Sequence, residues 1–305
     1  MTVGRQKLHP EGLELSRLVC GLWRALQSEE TREPTGVARL MDVCLELGIT
    51  SFDHADIYGD YQVEALFGRA LREWRGDRRR IELITKCDIM LQSGQRPANR
   101  VKHYDTSRAH ILASVENSLR NFGTDYLDLL LIHRPDPLMD ADETAAALDE
   151  VCRSGKVRYV GVSNHTPEQL SLLQSRLSRP LVTNQVELSV LHLEPLHDGT
   201  LDQAQRLRMA PMAWSPLGGG NLFKGQGERE QRVRQALSDV AAEQGHDNLG
   251  AVAIAWLLRH PSHPVPVLGS SRVERLRDLA RGESLALTRQ QWFSIWQASA
   301  GRPAP

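Results

Sequence analysis

The chain has 305 residues, 37 Lys and Arg against 38 Asp and Glu, a net charge of −1 and 41% apolar residues. It is too apolar and too evenly charged to be disordered, and too long to need disulfide staples. The charge balance gives no reason to expect nucleic acid or an anionic membrane as a partner.

Cys20, Cys44, Cys87 and Cys152 are widely spaced with no CxxC pair, which predicts reduced thiols in a cytoplasmic protein. The N-terminus MTVGRQKLHPEG lacks the apolar stretch of a signal peptide. No run approaches the roughly 18 apolar residues of a membrane span.

In chain order, residues 5–17 (RQKLHPEGLELSR) read as a hairpin turning at Pro10-Glu11-Gly12, fit to plug one end of a barrel. Short apolar runs follow at 18–23, 50–55, 81–87, 126–133, 157–164, 181–188, 209–215 and 264–270. Each reads as a buried strand. Helical stretches separate them at 35–47, 61–75, 107–121, 143–154, 167–177, 198–208, 229–244 with 248–259, and 273–281. Thr166, Pro167 and Gln169 form a capping-box pattern, and Gly123 and Gly155 stand just past helix ends. The longer loops at 88–105 and 216–228 would wall a pocket. Residues 284–300 form a last helix with Trp292, Ile295 and Trp296 on one side.

Strands alternating with helices predict an α/β fold with a parallel sheet. A doubly wound sheet also fits. Eight units without a linker favour a closed (β/α)8 TIM barrel with an N-terminal β-hairpin and a C-terminal extra helix, one domain over residues 1–305. No GxGxxG follows the first strand, which argues against a Rossmann site. HExxH, GxSxG and Walker patterns are lacking as well, so no metal site is expected.

A barrel builds its site at the C-terminal ends of its strands. Strand two runs into Phe52-Asp53-His54-Ala55-Asp56-Ile57-Tyr58, strand three ends in Thr85-Lys86-Cys87, and strand four in Ile132-His133-Arg134. A carboxylate, a phenol, an amine and an imidazole would converge there. Tyrosine has a reference pKa near 10, too high for easy proton exchange at neutral pH. An ammonium would lower it, and a carboxylate would hold the ammonium in place. Asp53, Lys86 and Tyr58 make a candidate relay, with His133 beside a carbonyl oxygen.

The segments FDHADIYG, LITKC, LLLIHRPDP, GVSNHTPEQL, NQVELS and AWSPLGGG, in this order, resemble the signature segments of the aldo-keto reductases. The resemblance covers about residues 13 to 285, and its details look closest to a bacterial oxidoreductase branch. It implies reduction of small aldehydes and ketones with NADPH, without metal or flavin, by a protein that is commonly a monomer. It carries the catalytic roles to Asp53, Tyr58, Lys86 and His133, with Tyr58 as general acid.

By the same resemblance Ser163, Asn164 and Gln185 hold the nicotinamide carboxamide, and Trp214 stacks on the ring. Core packing is the competing reading of Trp214. Ser215, Leu217, Gly218 and Gly219 lie over the pyrophosphate, and Gly21 and Trp23 border cofactor and substrate. Gly269, Ser270, Arg272, Arg275 and Asp278 align with the segment that binds the adenosine 2′-phosphate. There Gly269 replaces the family's Lys, so NADH is possible beside NADPH. Arg96, Arg100, Lys102 and His103 make the 88–105 loop basic, which suits anionic carbonyl compounds or a solvated loop. Two other functions fit the sequence: a redox-sensing subunit with slow turnover, and a Schiff-base aldolase using Lys86.

Overall fold

The computed structural model describes residues 2–304. Strands β1 (Arg5–Lys7) and β2 (Glu14–Ser16) pair antiparallel, with Gln6 opposite Leu15. The expected N-terminal hairpin is therefore present. Its Leu8, Leu13 and Leu15 pack with Ile84, Leu129, Leu131, Val182, Met212 and Val265, so the hairpin plugs the barrel.

The barrel strands are β3 (Val19–Gly21), β4 (Ser51–Asp53), β5 (Glu82–Cys87), β8 (Leu127–Ile132), β9 (Val157–Ser163), β10 (Leu181–Glu187), β11 (Met212–Trp214) and β12 (Val265–Leu268). All are parallel and run in chain order around a closed ring, with β12 pairing β3. A doubly wound sheet is excluded by that closure. The strands are apolar on both faces because one face meets the barrel interior and the other the helices. A second, larger apolar cluster, including Phe52, Phe67, Ile111, Phe122, Leu148 and Leu173, fills the space between strands and helices.

Local signals behave as their chemistry requires. Thr166 and Gln169 make the reciprocal capping box at the start of helix Pro167–Gln174. Gly123 and Gly155 follow helices with φ of 68° and 77°, a backbone region that only glycine enters freely. Among the described residues, no helix is long and apolar enough to cross a membrane.

Three expectations need correction. Residues 88–105 are not a plain loop: β6 (Ile89–Met90) and β7 (His103–Tyr104) pair antiparallel within it. Two-residue strands carry too little periodicity to be read from sequence. Residues 216–228 contain a 3-10 turn at Gly218–Gly220 and a short helix at Asn221–Lys224. The last helix starts at Arg289, not near 284, because Thr288 and Gln291 form a second capping box there.

Candidate active site

Strand register sets the site. β4 ends at Asp53, and its pairing with β5 continues beyond the strand: His54 N–H donates to Ile84 O (2.9 Å) and Asp56 N–H to Lys86 O (3.0 Å). Lys86 lies opposite Leu131 on β8, so His133, two residues further, sits beside the Lys86 strand end. Tyr58 opens a tight turn, Tyr58–Tyr61, in which Gly59 and Asp60 take left-handed conformations.

Lys86 is 1% exposed, and burying an ammonium is costly unless its protons are all bonded. Its Nζ contacts both oxygens of Asp53 (2.8 and 2.7 Å), the carbonyl of His54 (2.7 Å) and the Tyr58 hydroxyl (3.2 Å). Asp53 Oδ1 also accepts from Gln185 Nε2 at 2.8 Å, across the barrel. Burial pulls the Lys86 pKa down, but Asp53 and Tyr58 outweigh it and leave the amine above its ordinary value.

Tyr58 departs from the sequence reading. The ammonium was expected to bring the phenol below its usual pKa, yet burial pushes it above that value. Lys86 pulls it back down only in part, and the Asp53 carboxylate opposes that pull. Desolvating a phenolate costs more here than one already-paired ammonium returns. The phenol therefore keeps its proton at neutral pH. His133 is pushed well below its ordinary value, first by burial and then by Lys86 and Arg134, so its imidazole is neutral. Its ring meets that of Tyr58 edge-on at 6.2 Å, and its buried Nδ1 has no hydrogen-bond partner.

A second set of polar groups adjoins these. Gln185 O accepts from Ser163 Oγ (2.7 Å) and Asn164 N–H (2.9 Å). Asn164 Nδ2 donates to Ser163 Oγ (2.8 Å) and His133 O (3.3 Å), and Asn164 Oδ1 accepts from Trp214 Nε1 (2.9 Å). Asn164 holds this position with φ of 59°, which its short side chain tolerates. Trp214 is only half-buried and stands outside the apolar clusters.

Gly218, Gly219 and Gly220 have φ of 58°, 63° and 103°, just past Ser215, itself at 50°. The Gly218 and Gly220 N–H groups close turns onto Ser215 O (2.8 Å) and Leu217 O (3.1 Å), and a Cβ at Gly220 would meet nothing within 4 Å, so a ligand can approach this backbone closely. Leu217 precedes them half-buried, and Arg24 donates to Gly219 O at 3.0 Å, tying this loop to the one after β3. Gly21 ends β3, and Trp23 is 53% exposed at the rim.

After β12, Gly269 is exposed and Ser270 Oγ accepts from Arg272 N–H at 3.2 Å. The Arg272 guanidinium lies 3.7 Å from Glu30, while the exposed Arg275 has no ion-pair partner among the described residues. Arg277 pairs with Glu46 at 3.2 Å, and Asp278 is half-buried on the same helix.

Ser163, Gln185, Trp214, Gly269 and Gly21 thus stand on or just past the ends of five neighbouring strands, β9, β10, β11, β12 and β3. Amide groups lie at one end, an open glycine backbone in the middle and an unpaired guanidinium at the other. That order of donors suits a dinucleotide: carboxamide, pyrophosphate, then a phosphorylated ribose.

Over residues 17–300 the sequence matches the aldo/keto reductase family. The chain belongs to that family. It is 50% identical to the 6-dehydroglucose reductase of Agrobacterium fabrum, over 95% of this chain and 96% of that one. It is 49% identical to the oxidoreductase YdhF of Escherichia coli, over 99% of this chain and 100% of that one. A crystal structure of a thermostable aldo-keto reductase in complex with the inhibitor epalrestat superposes with a TM-score of 0.82 at 27% identity, covering 97% and 99% of the two chains. This aldo/keto reductase is an oxidoreductase built on a (β/α)8 barrel.

Sequence reasoning passed over three contributors to the site of this aldo/keto reductase. The His54 backbone carbonyl is a ligand of Lys86, and its ring lies between Phe67 and Phe122 at 4.5 and 5.0 Å. Asp88 is fully buried at φ 101° and accepts from Arg134 N–H at 2.9 Å, fixing the segment that carries His133. Arg134 places its guanidinium 5.8 Å from the Trp214 ring centroid. The only signal was adjacency, Asp88 lying two residues after Lys86 and Arg134 one after His133.

Proposed function

We propose that this aldo/keto reductase reduces aldehydes and ketones to alcohols with NADPH, Tyr58 acting as general acid. The observation that carries the proposal is the Lys86 ammonium, locked on Asp53 and His54 O and 3.2 Å from the Tyr58 hydroxyl.

Ser163, Asn164 and Gln185 would hold the carboxamide, Trp214 would lie against the ring, and the Gly218–Gly219 backbone with Ser215 and Leu217 would cover the pyrophosphate. Ser270, Arg272 and Arg275 would meet the 2′-phosphate. When bound, the dihydronicotinamide supplies hydride to the carbonyl carbon. Tyr58 donates its proton to the carbonyl oxygen, and Lys86 stabilises the phenolate left behind. The neutral His133 ring orients that oxygen; because Nδ1 is buried, Nε2 is the nitrogen that serves. Reprotonation of Tyr58 from solvent completes the cycle.

The test is loss of NADPH absorbance in the presence of aldehydes, diketones, quinones and 6-dehydroglucose, repeated with NADH. Relatives named 6-dehydroglucose reductase put that sugar aldehyde in the panel. Turnover is expected to be faster with NADPH, since Arg275 offers an unpaired cation to the extra phosphate. Tyr58→Phe is expected to lower kcat by about 10²–10⁴ with an unchanged melting temperature, the usual worth of a positioned acid. Undiminished turnover in that variant removes Tyr58 from the role.

A further inference from the structure

The proposed reaction leaves one charged side chain at the rim without a task. Arg134 is held in place from several sides. Its N–H donates to Asp88 Oδ2 at 2.9 Å, and Pro135, following it, restricts its backbone to extended conformations. Its guanidinium faces the Trp214 ring at 5.8 Å, and that ring is itself held by Asn164 at 2.9 Å. Asn164 in turn donates to His133 O at 3.3 Å, so the guanidinium lies on the side of the site bordered by Trp214, Asn164 and His133.

No carboxylate answers it. Among the described residues Arg134 makes no ion pair. The acids on adjoining loops are engaged elsewhere: Asp136 accepts from Thr106 Oγ1 (2.9 Å), Asp105 from Ser107 N–H (3.0 Å), and Asp88 from the Arg134 backbone. Lys102, exposed just before β7, adds a second positive charge on the segment that Asp105 N–H ties to Asp88 O at 2.9 Å, the same residue that holds the Arg134 backbone. A positioned guanidinium with free donors is matched to a planar or tetrahedral oxyanion, which it can bind through two parallel hydrogen bonds.

We propose that Arg134, supported by Lys102, forms an anion subsite, so that the preferred substrates carry a carboxylate or phosphate in addition to the carbonyl. This rests on the carbonyl-reductase reading. It goes beyond the relatives named 6-dehydroglucose reductase, since 6-dehydroglucose is uncharged. Charge-assisted hydrogen bonds of this kind correspond to about 10- to 100-fold in kcat/KM.

The experiment compares matched aldehydes with NADPH: succinic semialdehyde against butanal for carboxylate, glyceraldehyde 3-phosphate against glyceraldehyde for phosphate. At least one anionic member is expected to lead its neutral partner by about tenfold or more at low salt. That lead should shrink as salt rises from about 20 to about 300 mM. It should fall toward one in Arg134→Met, recover in part in Arg134→Lys, and drop by a smaller factor in Lys102→Met. NADPH affinity, read by fluorescence, should stay within about twofold in all three, since the subsite faces substrate.

Ratios near one in the unaltered protein, ratios kept in Arg134→Met, or a preference for 6-dehydroglucose over both anionic aldehydes overturn the subsite. Weakened NADPH binding in Arg134→Met with unchanged ratios also overturns it and assigns the guanidinium to the cofactor. If no aldehyde is turned over, the reductase reading fails separately. The subsite is then read by equilibrium binding of 4-hydroxybutyrate against 1-butanol to the NADP+-loaded protein, and equal binding rejects it.

Discussion

Lys86 keeps its charge in a place where a lone ammonium would lose it. Its protons reach four oxygens, and the Asp53 carboxylate is braced in turn by Gln185. The Tyr58 phenol beside it is pushed up by burial. The proposed reduction needs Tyr58 protonated, so kcat should stay flat through neutral pH and fall only in alkali, above the ordinary tyrosine range. A kcat–pH profile checks this, and a decline centred near pH 7 would place a different group in control. His133 is already neutral there, so its protonation should matter only well into acid.

Asp56, next to this cluster, offers a residue-scale test of stability. Burial and the nearby Glu64 raise its pKa from the ordinary 3.8 to about 8, and its Oδ1 lacks a partner. A raised carboxyl binds its proton more tightly folded than unfolded. Its contribution is complete below about pH 4 and is lost as pH climbs through about 8, at up to about 1.4 kcal/mol per pH unit. Urea unfolding of Asp56→Asn across pH 5–9 should show a shallower decline than the parent protein. Parallel curves would refute the assignment.

At the scale of elements, the hairpin β1–β2 does more than open the chain. Leu8 and Leu15 are fully buried against strands from around the barrel. Leu15→Ala should cost about 2–5 kcal/mol, as other buried Leu truncations do, read as a lower urea midpoint with an unchanged slope. A loss under about 0.5 kcal/mol would mean that the plug is dispensable. The last helix is fixed by a reciprocal pair. Trp256 and Trp292 stack at 4.8 Å with planes 6° apart, and each indole N–H donates to the other's backbone carbonyl at 3.0 and 3.1 Å. The apolar side of that helix was legible from Trp292, Ile295 and Trp296. Its partner was not, because residue 256 reads only as one more apolar position in a helix that is apolar all round. The β6–β7 pair was illegible for a different reason: strands of two residues are too short to show a period.

At the scale of the whole molecule, closure of the barrel brings Asp53 and Gln185, 132 positions apart, within 2.8 Å. A net charge of −1 conceals rim cations, Arg24, Lys102 and Arg134, that make no ion pair among the described residues. The sequence by itself determined the eight strand–helix units, the hairpin, the caps and the strand-end positions of Asp53, Lys86 and His133. Those depend on periodicities and neighbours within a few residues, which the chain writes directly. The tertiary structure alone decided that the phenol is raised and not lowered, that His54 and Asp88 support the site, and that Arg134 stands unpaired beside Trp214. Each of these is a balance of burial against charge over a few ångströms, set by which distant segments meet when the ring closes.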